Sequence, residues 1–289
     1  MGTLSIMNKK RRLSDDVLRV LIYLSALLSV GLLAGIICYV FYRGIGNLSL
    51  AFLTTVQSPT KGVMGIAGNI VNTLYIVILT LVVVTPVGVG AAIYLNEYAK
   101  PGRLVSLIEF TIETLTGIPS IIFGLFGSVC FGAVFGYSIL TGALTLTIMV
   151  LPLIARNTQE ALRTVPDSYR SGALGIGATK WYMIRTILLP SAMPGIVTGV
   201  ILAIGRIVGE SAALLFTAGS GFALPRGGFG LVEKLFESGG TMTIELYLQM
   251  AKGKYNVAFA IACVLLILVL VLNFAAKYLA SRFNVENRK

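Results

Sequence analysis

The chain has 289 residues, of which 56% are hydrophobic and only 12% charged, against about a quarter charged in an average globular protein. A soluble fold of this size would need far more polar surface, so the composition excludes an ordinary soluble domain and admits a membrane protein, whose apolar exterior lipid accepts. The excess of 23 basic over 12 acidic residues is sorted into the ends and particular loops, with no nucleic-acid-binding module.

Residues 1–19 read as a basic cytoplasmic tail. Residues 20–42 carry no charge over 23 positions, about 34 Å of helix, enough to cross hydrocarbon of about 30 Å. This is span one. Residues 71–94 form span two, whose Asn72, Thr80, Thr85 and Pro86 point to a partly protein-facing helix. The uncharged run from 115 to 155 suits two short spans, 118–135 and 138–154, with a kinked start at Thr116-Gly117-Ile118-Pro119 because proline disfavours helix just before it. A polar connection covers 156–190. Span five follows at 195–217 and holds Arg206 and Glu210. Residues 218–256 form a glycine-rich outer loop with a short helix expected around 231–236. Span six is 255–276, so that a membrane domain of 20–280 precedes a tail of 281–289.

Lys and Arg bias sets the orientation of such a bundle. With the amino terminus inside, 16 basic residues fall on the cytoplasmic side, among them Lys9, Lys10, Arg11, Arg12, Arg288 and Lys289. Six fall outside: Arg43, Lys61, Arg226, Lys234, Lys252 and Lys254. Six spans with both termini cytoplasmic is the expected topology. Cys38, Cys130 and Cys263 all lie in apolar stretches and read as small buried hydrophobes. With no histidine and no cysteine pair at ligand spacing, neither a metal site nor a catalytic site is expected.

The polar connection is the first stretch that can carry function. Ala173, Leu174, Ile176, Trp181 and Ile184 supply an apolar side, and Arg170, Lys180 and Arg185 supply charge, a pattern suited to a membrane surface or to another protein. Its glycines fit no phosphate-binding loop. The spacing of Ser171, Gly172 and Ala173, then Gly177, then Ile187, Leu189 and Pro190 resembles the signature loop of importer-type ABC permeases. Ser171 and Gly172 stand where that family has glutamate and alanine. The resemblance implies the type I ABC importer permease (MetI-like) fold, an all-α polytopic transmembrane bundle. It also implies a short coupling helix over roughly 171–184, including Ala178 and Thr179, that seats in a groove of an ATPase subunit.

Span five is the second such stretch. Arg206 and Glu210 are four apart and share a face if the helix continues through both. A charge in hydrocarbon costs several kcal/mol and usually faces protein or a wet path. The pair reads as a salt bridge that fixes packing, as an anion path, since arginine offers an oxyanion a permanently charged planar fork, or as a gate that involves both residues. Gly195 with Gly199, Gly205 with Gly209, Gly31 with Gly35 and Gly132 with Gly136 give spacing that permits close helix approach.

The segments Gly205-Arg206 with Gly209-Glu210-Ser211-Ala212, and Gly117-Ile118-Pro119-Ser120 with Phe123-Gly124-Leu125-Phe126-Gly127, resemble the phosphate-importer permeases. Length and Thr241-Met242-Thr243-Ile244 favour the PstA-like over the PstC-like sister. The resemblance implies a multi-pass protein of a prokaryotic plasma membrane with four kinds of neighbour. These are a PstC-like permease, a PstB-like ATPase dimer that binds ATP and Mg²⁺, an extracytoplasmic PstS-like phosphate-binding protein, and membrane lipid. No cofactor is expected in this chain. An importer permease for sulfate, molybdate or an amino acid is an alternative, and a secondary anion transporter is another.

Overall fold

The computed structural model describes residues 13–58, 62–225 and 230–283. Lys9, Lys10, Arg11, Arg12, Lys61, Arg226, Arg288 and Lys289 lie outside the described residues. The long helices are α1 (Leu13–Gly44), α3 (Ala67–Ile93), α7 (Ile139–Arg163), α10 (Leu189–Gly209) and α14 (Tyr255–Phe283). A 3-10 turn, the short helix α2 (Leu50–Thr54) and a hairpin of β1 (Val56–Ser58) and β2 (Val63–Ile66) connect α1 to α3. Five stretches are long and apolar enough to cross a membrane: Asp16–Asn47, Ala67–Tyr98, Ile139–Arg163, Lys180–Gly209 and Tyr255–Tyr278. A sixth results if α4 (Arg103–Thr116) and α5 (Ser120–Cys130) form one broken span, bent by 106°.

The centre of the bundle is α3, α7 and α10. Ile76, Val77 and Val84 of α3 meet Leu146, Val150 and Ile154 of α7 and Ala203, Ile204 and Ile207 of α10, all in one buried cluster. Close approach depends on small residues: a Cβ at Gly88 would stand 2.7 Å from Ile154 Cγ2, and one at Gly195 would stand 2.5 Å from Ala161 Cβ. Pro86, Pro152 and Pro194 lie inside these helices, which membrane bundles tolerate because neighbours satisfy the freed carbonyls. By contrast, α1 packs mainly on α14, where Tyr39 meets the Phe259 ring edge-on at 5.6 Å. Cys263 is buried, whereas Cys38 and Cys130 are exposed on the surface of the chain, so only one of the three is a buried hydrophobe.

Helix bounds depart from the sequence reading at informative places. The run 118–135 is occupied by α5 and α6 (Gly132–Phe135); α5 has 11 residues, about 16 Å, too short to cross alone. The amphipathic α4 supplies the other limb, which its charges had hidden from a hydropathy reading. Helix α7 runs on past 154 to Arg163, because Thr158, Gln159 and Leu162 stay buried although polar neighbours interrupt the apolar run. Span five stops at Gly209 instead of continuing to 217; a break at Glu210 and Ser211 precedes α11 (Ala212–Leu215). Between α11 and α14, α12 (Gly230–Glu233) and a 3-10 turn cover 230–236. Lys234 there is fully buried and pairs with Glu237 at 3.2 Å. Helix α13 (Met242–Ala251), capped by the Thr241 hydroxyl, stands where an irregular loop was expected.

Of the four glycine pairs, only Gly195 with Gly199 faces a neighbouring helix closely at both positions; Gly205, Gly209, Gly31 and Gly35 meet nothing within 4 Å. Overpacking a tight contact costs about 1–3 kcal/mol. Gly195→Leu is therefore expected to lower the thermal midpoint of the detergent-solubilised chain by several degrees, and Gly205→Leu to leave it unchanged, as followed by thermal-shift chromatography. Equal midpoints for the two variants would contradict this packing.

Candidate functional site

Two regions carry the chemistry, one in the middle of the bundle and one at its polar end. In the middle, Arg206 lies in the last turn of α10 and is exposed in the single chain. It lines a cleft of about 130 Å³ with Leu115, Thr116, Ile118, Phe123, Met149 and Leu153. The cleft exists because the chain turns sharply between α4 and α5 at Gly117 to Pro119, which leaves the end of α4 beside α7 and α10. All but Thr116 of those six lining residues are hydrocarbon or thioether only. A guanidinium set in such a wall has an unmet need for an anion.

The ion pair that four-residue spacing suggested does not form. The helix ends at Gly209, and Glu210 takes an extended backbone with φ −78° and ψ 126°. Its carboxylate turns the other way, where Oε1 accepts from the Ala213 amide at 3.1 Å, and the Thr243 hydroxyl donates to the Glu210 carbonyl at 2.8 Å. Glu210 is buried and ties α11 and α13 to the end of α10. Among the described residues no carboxylate lies within ion-pair distance of Arg206. Beyond the break, α11 packs on α5 so tightly that a Cβ at Gly124 would come within 2.8 Å of Ala213 Cα.

At the polar end, two short helices replace the single helix expected over 171–184. These are α8 (Asp167–Gly175), which carries Ser171, Gly172, Ala173 and Leu174, and α9 (Lys180–Met183), which carries Trp181. Gly177 ends α8 with φ +85°. The amide of Ala178 bonds to the Ala173 carbonyl at 3.1 Å and that of Gly177 to the Leu174 carbonyl at 3.0 Å, the paired C-terminal bonds of a Schellman motif. The Thr179 hydroxyl then accepts from the Tyr182 amide and caps α9. A π turn, Ile184–Leu188, carries Ile187 and leads without interruption into α10, where Leu189 and Pro190 occupy the first turn.

The apolar residues of this loop do not form one face. Ala173, Met183, Ile184 and Leu188 are buried against Leu162, Val165 and Ala192. Leu174, Ile176 and Trp181 point outward at 49%, 87% and 59% exposure, beside the exposed Tyr169 and Tyr182. The first set anchors the loop to the bundle. The second is an unfilled aromatic and aliphatic surface at one end of the molecule. The Ser171 hydroxyl bonds back to the Asp167 carbonyl at 3.1 Å, so it is satisfied locally.

Arg170 and Glu97 were not singled out as a pair by sequence. Arg170 donates to Glu97 Oε1 through Nε at 3.2 Å and Nη2 at 3.0 Å, and to the carbonyls of Leu162 and Val165, both at 2.9 Å. Glu97 belongs to a second π turn, Tyr94–Tyr98, that closes α3, and Asn96 donates to the same carboxylate oxygen at 2.7 Å. Lys180 adds a cation–π contact, its Nζ 4.9 Å from the Tyr98 ring centroid. The available signal was a charge next to an apolar span end, but a separation of 73 positions gave no way to pair it.

Comparison with known proteins gives a consistent result. A family model described as "Binding-protein-dependent transport system inner membrane component" matches residues 84–285. The chain is 35% identical over 285 residues to the probable ABC transporter permease protein YqgI of Bacillus subtilis, covering 94% of this chain and 96% of that relative. It is 32% identical over 287 residues to the phosphate transport system permease protein PstA of Xylella fastidiosa strain Temecula1, covering 96% of each. Among solved structures, a chain of a bacterial alginate ABC transporter aligns over 95% of this chain and 99% of its own length, with TM-score 0.67 and 16% identity. A chain of the inward-facing MetNI methionine ABC transporter aligns over 76% of this chain and 94% of its own, with TM-score 0.57 and 23% identity. These last two bear on the fold, which is that of the MetI-like importer permeases.

The turn at Gly177 can be tested on the chain alone. No neighbour would obstruct a side chain there, so the demand is purely conformational, and the left-handed backbone costs a non-glycine residue about 1–2 kcal/mol. Gly177→Val is expected to insert normally but to speed amide exchange across 173–183 several-fold, read by hydrogen–deuterium exchange mass spectrometry. Unchanged exchange in that segment would contradict the role of the turn.

Proposed function

The chain belongs to the family of binding-protein-dependent transport system inner membrane components, and on that premise we propose that it is a PstA-like permease subunit of an ATP-driven importer of inorganic phosphate. In this reading it forms the translocation path together with a homologous PstC-like permease. A PstB-like ATPase dimer binds ATP and Mg²⁺ on the cytoplasmic face, and a PstS-like protein delivers phosphate from outside. Both termini are cytoplasmic, and the aromatic surface of Tyr169, Ile176, Trp181 and Tyr182 seats in the ATPase. Hydrolysis belongs to that partner, and this chain supplies the path and the docking loop.

The observation that carries the reading is Arg206, a permanent cation at the bend between α4 and α5 with no carboxylate partner among the described residues. A resident counter-ion would compete with cargo. Without one, the guanidinium can offer its fork to a phosphate oxyanion as it passes. Gly205 and Gly209 meet nothing within 4 Å in this chain, which leaves this side of α10 free for a second permease to approach. The phosphate-permease relatives point to phosphate over sulfate, molybdate or an amino acid.

Removing a desolvated charge contact costs about 2–5 kcal/mol. Arg206→Gln is therefore expected to reach wild-type abundance and to assemble with its partners, yet to lower phosphate uptake at least tenfold in a strain lacking the native gene, with Arg206→Lys intermediate. Full uptake by Arg206→Gln at normal abundance would remove Arg206 from the path. Restoration of sulfate uptake instead of phosphate uptake by the wild-type chain would reject the cargo.

A further inference from the structure

The polar loop is joined covalently to α7 at one end and to α10 at the other, and across space it is also tied to α3. Along the chain, α9 runs through the π turn at Ile184–Leu188 into α10. Across space, Arg170 and Lys180 grip the π turn that ends α3. The loop's other ion pairs differ in kind. Arg156 with Glu160 is an exposed neighbour pair, Arg163 with Glu109 is half-exposed, with side-chain exposures of 53% and 33%, and Arg170 also meets Asp167 of its own helix at 3.0 Å, where the carboxylate is exposed; water screens such pairs, and they hold little. The Glu97 side chain is 5% exposed and that of Arg170 is 19%.

A carboxylate this buried, bonded by a guanidinium and an amide, has a single low-energy arrangement. The same guanidinium also binds two backbone carbonyls at the end of α7. One planar group thus fixes α8 against both α3 and α7. Planar forks transmit direction as well as attraction, and π turns inside α-helices occur often at functional sites. Helix α3 packs along α7 and against α10, the helix that carries Arg206.

We infer that Glu97 and Arg170 are positioning residues that lock α8 to the π-turn end of α3, so that displacement of the polar loop moves α3 as well as α10. Lys180 on Tyr98 is the outer, weaker point of the same clamp. This inference rests on the importer reading above for what displaces the loop, whereas the clamp itself is a property of this chain.

The test uses the complete transporter, with sister permease, ATPase and binding protein, reconstituted in liposomes with labelled phosphate. In Glu97→Gln and in Arg170→Gln the ATPase should co-purify at wild-type stoichiometry and keep its basal hydrolysis. Stimulation by loaded binding protein, and phosphate taken up per ATP, should each fall roughly tenfold, the scale of an ordinary coupling between sites. Because the two residues act through one network, the double variant should be no worse than either single. Arg170→Lys, which keeps the charge and loses the fork, should fall between.

Unchanged uptake per ATP in both single variants overturns the inference. So does loss of the ATPase from both, which would make the pair only a support of the docking surface. A separate readout needs no cargo: amide exchange in the purified chain should rise at Tyr94–Tyr98 in Arg170→Gln. Unchanged exchange there overturns the clamp whatever is transported, whereas absence of ATP-dependent phosphate uptake in the wild-type complex overturns the importer reading and leaves the clamp to be judged by exchange.

Discussion

Hydrocarbon offers no hydrogen-bond partners, so each backbone amide and carbonyl in the apolar part of this chain must be satisfied within the protein. The α-helix meets that demand locally, and any departure from it must be supported by a specific neighbour. The departures here are few: the bend at Pro119, the break at Glu210, and the π turns at Tyr94–Tyr98 and Ile184–Leu188. Each coincides with chemistry. The first opens the cleft that Arg206 lines. At the second, the Glu210 carboxylate caps α11 and is drawn away from the arginine. The π turns lie where the polar loop meets the bundle.

Charge follows the same logic of satisfaction and its absence. Glu97, Glu210 and Lys234 are buried or nearly so, and each has a named partner in the chain. Such groups fix geometry. Arg206 is the contrast, a cation on a largely apolar cleft whose nearest acidic residue in sequence is engaged elsewhere. The outward Tyr169, Ile176, Trp181 and Tyr182 are the apolar counterpart, a surface left without cover within the chain. The proposed place of the chain, between a sister permease and an ATPase, would account for both.

Much of this was legible in the sequence. The uncharged runs announced helices, and the segment from Ser171 to Pro190 leads into the first turn of α10. What escaped did so for physical reasons. Helix α4 carries Arg103, Glu109 and Glu113, so a reading by hydropathy places it in a loop, although its apolar residues gather on one side of the helix. The Arg206 to Glu210 spacing is an argument about a continuous helix, and it fails once Gly209 ends that helix. Leu174, Ile176 and Trp181 point outward from the chain, which composition alone cannot separate from the inward Ala173 and Ile184. The bond between Arg170 and Glu97 depends on tertiary folding.

The account depends on the polar loop facing the cytoplasm, where an ATPase can reach it. A single cysteine at the exposed position 181, introduced in a background where Cys38, Cys130 and Cys263 are replaced, reports its side of the membrane. A membrane-impermeant maleimide should fail to label Trp181→Cys in intact cells and should label it in inverted vesicles prepared from cells that express the chain without the ATPase. Labelling in intact cells would place the loop outside and contradict the account.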